Sequence, residues 1–225
     1  MSDPLRLGIA GLGTVGVGVV RIIRQQAALL EARTGRKMTI SAVSARTKGR
    51  DRGVNLDSYA WETDPVALAT RDDVDVFVEL MGGEDGPAKD ATEAALNAGK
   101  QVVTANKAMM AIHGQALAVL AEAKGLNLRY EAAVAGGIPV IKTLMEGMAG
   151  NEITRVMGVM NGSCNYILTR MEDSGKTYQD IFAEADGLGY LEADPQLDVG
   201  GIDAAHKLAI LSSIAFGAQV DLITQ

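Results

Sequence analysis

A chain of 225 residues, 48% of them hydrophobic, is long enough to bury a core without disulfide or metal staples, and by length it holds one large domain or two small ones. A formal net charge of −7, a pI near 4.9 and only 4% aromatic residues argue against nucleic-acid or anionic-membrane partners, which call for a basic stripe. The single cysteine, Cys164, cannot close an internal disulfide; with no apolar run of about 18 residues and no leader pattern at the N-terminus, a cytoplasmic, non-membrane protein is expected.

Along the chain, short β-branched runs alternate with helical spacing. Leu5 to Ala10 reads as a strand and Thr14 to Ala32 as a helix. Met38 to Ala45 is a second strand. Asp64 and Pro65 open a short helix as N-cap and first helical residue. Val74 to Leu80 is a third strand, and Pro87 to Ala98 a helix closed by Gly99. Gln101 to Thr104 is a fourth strand, Asn106 to Lys124 a helix, and Leu126 to Glu131 a fifth strand. The alternation predicts an α/β fold: a Rossmann-type, doubly wound parallel sheet with right-handed crossovers. After about Val134 the pattern changes. Gly136 to Pro139 is a hinge-like turn, Ile153 to Met160 reads as a strand, and Ser163 to Ser174 and Thr177 to Ala185 read as helices. Asp186 to Gly200 reads as a loop, and Gly201 to Gly217 as a strongly periodic helix. A dinucleotide-binding domain over 1–134 and an α+β substrate and dimerisation domain over 135–225 are therefore expected.

The strand-to-helix turn Gly11-Leu12-Gly13-Thr14-Val15-Gly16 has the G-x-G-x-x-G pattern. The first glycine permits the tight turn, the second lets a pyrophosphate approach, and the third lets helix pack on strand. The helix N-terminus offers N–H groups to the phosphates. At the end of the second strand an NAD site tends to place a carboxylate for the ribose 2′-hydroxyl. Here Ala45-Arg46-Thr47-Lys48 carries none, and Arg46 and Lys48 suit a 2′-phosphate, which favours NADP over NAD.

Farther on, Glu192 and Asp198 precede a helix bearing Asp203 and Lys207, four apart and so on one face. A lysine among carboxylates can give a proton to an alkoxide formed by hydride transfer, and the carboxylates can receive an ammonium group. Spacing alone favours the plainer reading, a solvated i,i+4 ion pair.

Several segments, in order, resemble the homoserine dehydrogenase family. They are Val78 to Gly83; Val103-Thr104-Ala105-Asn106-Lys107; Tyr130 to Pro139; Met160-Asn161-Gly162-Ser163-Cys164-Asn165-Tyr166-Ile167-Leu168, with Ser-Cys in place of the commoner pair; and Gly187 to Lys207. The resemblance implies interconversion of L-aspartate 4-semialdehyde and L-homoserine with NADP or NAD, on the route to threonine and methionine. It implies that Lys207 is the proton donor and acceptor, that Lys107 is a second active-site lysine near cofactor and substrate, and that Glu192, Asp198 and Asp203 hold the substrate or orient Lys207. Leu12, Gly13, Thr14 and Val15 would wrap the pyrophosphate, Gly82 and Gly83 would pass the nicotinamide, and Gly189 would touch the cofactor. Glu131, Val134, Gly136 and Ile138 match positions that bind a monovalent cation such as Na⁺ in the family, and a homodimer is expected. The family's catalytic part normally continues past this chain's last residue, so the sequence reads as part of a longer protein. A Rossmann dehydrogenase for another small amino or hydroxy acid, and a nucleotide-binding core without turnover, are the alternatives. Cys164 has no histidine nearby in sequence to activate it and reads as a packing residue.

Overall fold

The computed structural model describes residues 3–191 and 195–219, and the chain divides into one unit ending at Val140 and another beginning at Ile141. Among the described residues six strands form a single sheet: β1 (Leu5–Ala10), β2 (Met38–Ser44), β3 (Ala60–Glu62), β4 (Val76–Glu79), β5 (Gln101–Thr104) and β6 (Leu128–Arg129). Their order is β3-β2-β1-β4-β5-β6, and every pairing is parallel. Strands covered on both sides must be apolar throughout. β4 is buried at every position and apolar at Val76, Phe77 and Val78, ending on the buried Glu79, and Ile9, Val43, Phe77 and Val102 are fully buried.

Between the strands lie α1 (Thr14–Gln25), α2 (Ala27–Thr34), α3 (Pro65–Ala69), α4 (Pro87–Asn97) and α5 (Lys107–Ala123), and α6 (Glu131–Val134) follows β6. α1 buries Gly16, Val17, Val20 and Ile23 at helical spacing against Leu7, Ile9 and Ile40. The single helix predicted for Thr14 to Ala32 is interrupted at Gln26, and α2 buries nothing. Past Ile23 neither helix buries a side chain that would enforce one axis. Asp64 caps α3 by accepting the Val66 N–H at 2.9 Å with Pro65 in the first turn, as the sequence indicates. β3 was not foreseen: three residues give too short a run for periodicity to register. The strand expected over Leu126 to Glu131 shrinks to β6, which pairs only with Val102 and Val103 of β5.

Register does the work of placing a site. Glu62, Ser44, Ala10, Glu79 and Thr104 stand opposite one another across β3, β2, β1, β4 and β5. The residues that follow them therefore leave the sheet side by side at its carboxyl edge. β1 is the point where the winding reverses, since its neighbours β2 and β4 are reached by connections on opposite sides.

The second unit begins in α7 (Val140–Lys142) and a π-helical turn (Thr143–Gly147), followed by α8 (Gly162–Ser174), α9 (Tyr178–Gly187), α10 (Pro195–Val199) and α11 (Ile202–Phe216). Ile167, Ile181 and Ala185 form its small core, flanked by Tyr166, Phe182 and Leu191. Residues 153–160, predicted as a strand, have no regular structure, and Met157 and Val159 are exposed. A strand needs a neighbouring ladder to satisfy its backbone, and the described residues of this unit supply none. The loop predicted over Asp186 to Gly200 contains α10. No described helix is long and apolar enough to cross a membrane.

Candidate active site

A cleft of about 870 Å³ opens at the carboxyl edge of the sheet. Its walls are the residues that register brings together: Gly11, Leu12 and Gly13 after β1, Ala45, Arg46 and Thr47 after β2, Thr63 after β3, and Leu80 to Gly83 after β4. The three glycines of the turn carry three distinct constraints. Gly11 has φ +95, and a Cβ there would lie 2.2 Å from the Leu80 carbonyl oxygen. A Cβ on Gly16 would lie 1.9 Å from the Gly11 oxygen, so helix and strand are in backbone contact. Gly13 has nothing within 4 Å of where its Cβ would be. No packing inside the protein requires glycine there, which leaves close approach by a ligand. Gly13 is also the N-cap of α1 and offers no side chain to the first-turn N–H groups. An uncapped helix start facing a cleft suits a pyrophosphate.

Arg46, Arg50 and Arg52 line the same cleft, whereas Lys48 does not. The row of cations comes from the loop after β2, and among the described residues no carboxylate lines the cleft. That combination fits a 2′-phosphate better than a bare ribose hydroxyl. The loop is fastened to α1: Arg24 donates to the Asn55 carbonyl at 2.5 Å and to the Tyr59 hydroxyl at 2.6 Å, and Arg21 to the Gly53 carbonyl at 3.3 Å.

Beside the glycine turn, the Met81-Gly82-Gly83 turn is shaped by a fully buried carboxylate. Glu79 Oε1 accepts from the Met81 N–H at 2.6 Å and the Gly82 N–H at 3.3 Å, and Oε2 from the Thr104 hydroxyl at 2.5 Å. Thr104 in turn accepts the Asn106 N–H at 2.9 Å. Asn106 donates to the Gly83 carbonyl at 2.6 Å and caps α5 through the Met109 N–H at 3.1 Å. The Thr-Ala-Asn-Lys segment is thus a strand end, a cap and a helix start wired to the opposite loop. It leaves half-buried Lys107 as the first residue of α5, a cation at the positive end of a helix. Breaking that local rule is common where function, not stability, sets the residue.

The second unit holds a buried polar cluster. Lys207 Nζ donates to Asp203 Oδ2 at 2.7 Å and to the Met160 carbonyl at 2.9 Å. Asn161 donates to Asp198 Oδ1 at 2.7 Å and to Asp203 Oδ2 at 2.9 Å, and its own oxygen caps α8 through the Cys164 N–H at 2.8 Å. Asp198 is 2% exposed and Asp203 3%, so this is not a solvated surface pair. Burial, then the charges of Asp198 and Asp203, push the Cys164 thiol up, and its Sγ donates to the Asp198 carbonyl at 3.3 Å. A thiol so held is no nucleophile.

Of the residues singled out in the sequence, Gly11, Leu12, Gly13, Arg46, Gly82 and Gly83 line the cleft. Thr14 and Val15 form the exposed first turn of α1. Asp198, Asp203 and Lys207 come together. Gly189, exposed at φ +73, follows α9. Glu131 and Val134 bound α6, and Gly136 and Ile138 lie in the turn after it. Glu192 lies outside the described residues. Sequence reasoning missed Glu79, Asn161, Arg50 and Arg52. The alternating arginines after Arg46 and an asparagine directly before a helix were the available signals for the last three.

A parallel sheet in this order, with a glycine turn at its reversal point and a cleft at its carboxyl edge, defines a Rossmann-type dinucleotide-binding unit. Residues 11–131 match the family model described as homoserine dehydrogenase, NAD binding domain, and residues 139–224 the one described as homoserine dehydrogenase. The chain is 44% identical over 218 residues to a homoserine dehydrogenase of Neisseria gonorrhoeae, covering 97% of this chain and 50% of that protein. It is 46% identical over 220 residues to the homoserine dehydrogenase of Mycobacterium tuberculosis, covering 97% and 49%. The structure of a homoserine dehydrogenase from Thiobacillus denitrificans superposes with a TM-score of 0.87 at 42% identity, over 97% of this chain and 50% of that one. A hyperthermophilic archaeal homoserine dehydrogenase solved in complex with NADPH gives 0.84 at 29% identity, over 96% and 70%. The chain belongs to the homoserine dehydrogenase family, and it spans about half the length of the curated relatives it matches.

Proposed function

We propose that this chain carries the cofactor and proton-transfer machinery of an NAD(P)-dependent oxidoreductase that interconverts L-aspartate 4-semialdehyde and L-homoserine, a step toward threonine and methionine. The observation that carries this reading is the buried Lys207–Asp203–Asn161–Asp198 cluster, which ordinary helix-surface pairing does not explain. The nicotinamide, when bound, supplies or takes the hydride at the substrate carbon. The NADPH complex of the archaeal relative supports a nicotinamide cofactor, and the arginines lining the cleft favour NADP.

In the reducing direction the aldehyde oxygen becomes an alkoxide and needs a proton. Lys207 has three N–H donors, of which two are spent on Asp203 and Met160, so the third is available to that oxygen. Asp203 keeps the ammonium in place, and Asn161 keeps Asp203 in place. In the oxidising direction the neutral amine takes the hydroxyl proton as the hydride leaves carbon. Glu192, Asp198 and Asp203 are proposed to receive the substrate's ammonium group, Lys107 to neutralise charge beside the cofactor, and Gly189 to contact it. Glu131 and the carbonyls of Val134, Gly136 and Ile138 are proposed to supply an all-oxygen donor set with one charge. That chemistry suits a monovalent cation such as Na⁺ in a structural role. A homodimer acting in the cytoplasm completes the proposal.

The test follows the absorbance of reduced nicotinamide with L-homoserine beside a panel of other small amino and hydroxy acids, using NADP and NAD. Turnover confined to L-homoserine is the expected result. Turnover of a different acid would reassign the substrate, and cofactor binding with no turnover of any would leave a nucleotide-binding core.

A further inference from the structure

Arg52 lines the cofactor cleft, yet its guanidinium is already committed to protein. Nε donates to the Leu12 carbonyl at 3.3 Å, Nη1 to the Arg50 carbonyl at 2.9 Å and Nη2 to the Thr47 carbonyl at 2.7 Å. Its charged plane lies over the Trp61 ring, 5.5 Å from the centroid. One planar fork therefore joins three pieces of backbone: the glycine turn after β1 and two points of the loop after β2. Only a guanidinium has donors spread widely enough in a plane to do this; an ammonium is a point.

The Leu12 carbonyl and the Gly13 N–H belong to one rigid peptide plane and point in opposite directions. Gripping the carbonyl thus fixes the N–H of the residue whose missing side chain leaves the cleft open. Thr47 and Arg50 belong to the loop that carries Arg46 and Arg50 into the same cleft. The outer part of that loop is held separately, by Arg21 and Arg24 of α1.

We propose that Arg52 is a positioning residue for cofactor selection: it ties the pyrophosphate turn to the arginine-bearing loop and fixes the separation of the two anion-binding subsites. It does not itself take the 2′-phosphate. The proposal rests on reading the cleft as an NADP site. Losing the tie leaves the glycine turn able to hold a pyrophosphate but lets Arg46 and Arg50 drift from the 2′-position, so NADP loses more than NAD.

The test is fluorescence titration of NADPH and NADH against the wild-type protein and the Arg52→Met, Arg52→Lys, Arg46→Ala and Arg50→Ala variants, with thermal unfolding of each. Both Arg52 variants are expected to weaken NADPH about tenfold or more, the equivalent of one charge-assisted bond. NADH should weaken by a few-fold at most, so the preference ratio collapses toward that of Arg46→Ala. An unchanged ratio in Arg52→Met, whether or not both affinities and the melting temperature fall, would reduce Arg52 to a structural residue and overturn the proposal. A ratio moved by Arg52→Met but by neither Arg46→Ala nor Arg50→Ala would make Arg52 the phosphate ligand and overturn it as well. A wild-type protein that binds NADH at least as well as NADPH would refute the NADP reading itself, and the proposal with it.

Discussion

The two glycines Gly13 and Gly16 are three residues apart and should respond differently to the same added methyl group. At Gly13 the backbone is extended, φ −78 and ψ −164, and an added Cβ meets nothing within 4 Å. Gly13→Ala should therefore cost on the order of 0.5–1 kcal/mol of stability, the preference of an N-cap for glycine over alanine. At Gly16 the Cβ would sit 1.9 Å from a backbone oxygen that cannot swing aside. Gly16→Ala should exceed the usual overpacking cost of about 1–3 kcal/mol and lower the melting temperature by many degrees. Binding should show the reverse order of interest. The methyl of Gly13→Ala fills the space a pyrophosphate needs and costs at least one charge-assisted hydrogen bond, so NADPH affinity should fall roughly 10- to 100-fold in a protein that is still folded. Thermal unfolding and NADPH fluorescence titration on both variants read the two effects separately. A folded Gly13→Ala variant that binds NADPH like the wild type would refute the claim that this turn cradles phosphate.

Other consequences follow from the polar networks. Asn161→Leu removes the donor shared by Asp198 and Asp203 and should cost on the order of 2–4 kcal/mol in denaturant unfolding, because both carboxylates are buried. Thr104→Val keeps the shape but deprives Glu79 Oε2 of its hydroxyl donor, and should cost about 1–3 kcal/mol with a matching loss of order in the Gly82-Gly83 turn. Glu184 is held at about 2, against an ordinary 4.5, chiefly by the Arg170 guanidinium and then by the Tyr166 hydroxyl. A depressed carboxyl stabilises the fold above its unfolded value and ceases to as pH falls, so this contribution should fade between about pH 4.5 and 2. Acid titration of Glu184→Gln should lack that component of the wild-type curve.

How much of this was legible in the sequence depends on the range of the interaction. The glycine turn, the Asp64–Pro65 helix start and the apolar strands are local patterns, and they stand where periodicity put them. β3 was illegible because three residues carry no period, and residues 153–160 misled because β-branched alternation describes a strand without saying whether a partner exists. Asp203 and Lys207 were paired by helical spacing, but spacing cannot distinguish a solvated pair from one 3% exposed at its acid. That distinction comes from Asn161, 42 positions before Asp203, and nothing in a linear reading links the two. Glu79 was hidden for a related reason. Alone at the end of an apolar strand it looks like a solvated strand end, and only the register opposite Thr104 buries it.

The central claim is that Lys207, held by Asp203, moves the proton that accompanies hydride transfer. Its most direct test compares the wild-type protein with Lys207→Ala for NADPH oxidation by L-aspartate 4-semialdehyde, with NADPH affinity measured on the same samples. In Lys207→Ala kcat should fall by about two orders of magnitude or more, the usual contribution of a positioned acid, while NADPH binds as before. A Lys207→Ala variant that turns over within a few-fold of the wild type would contradict it.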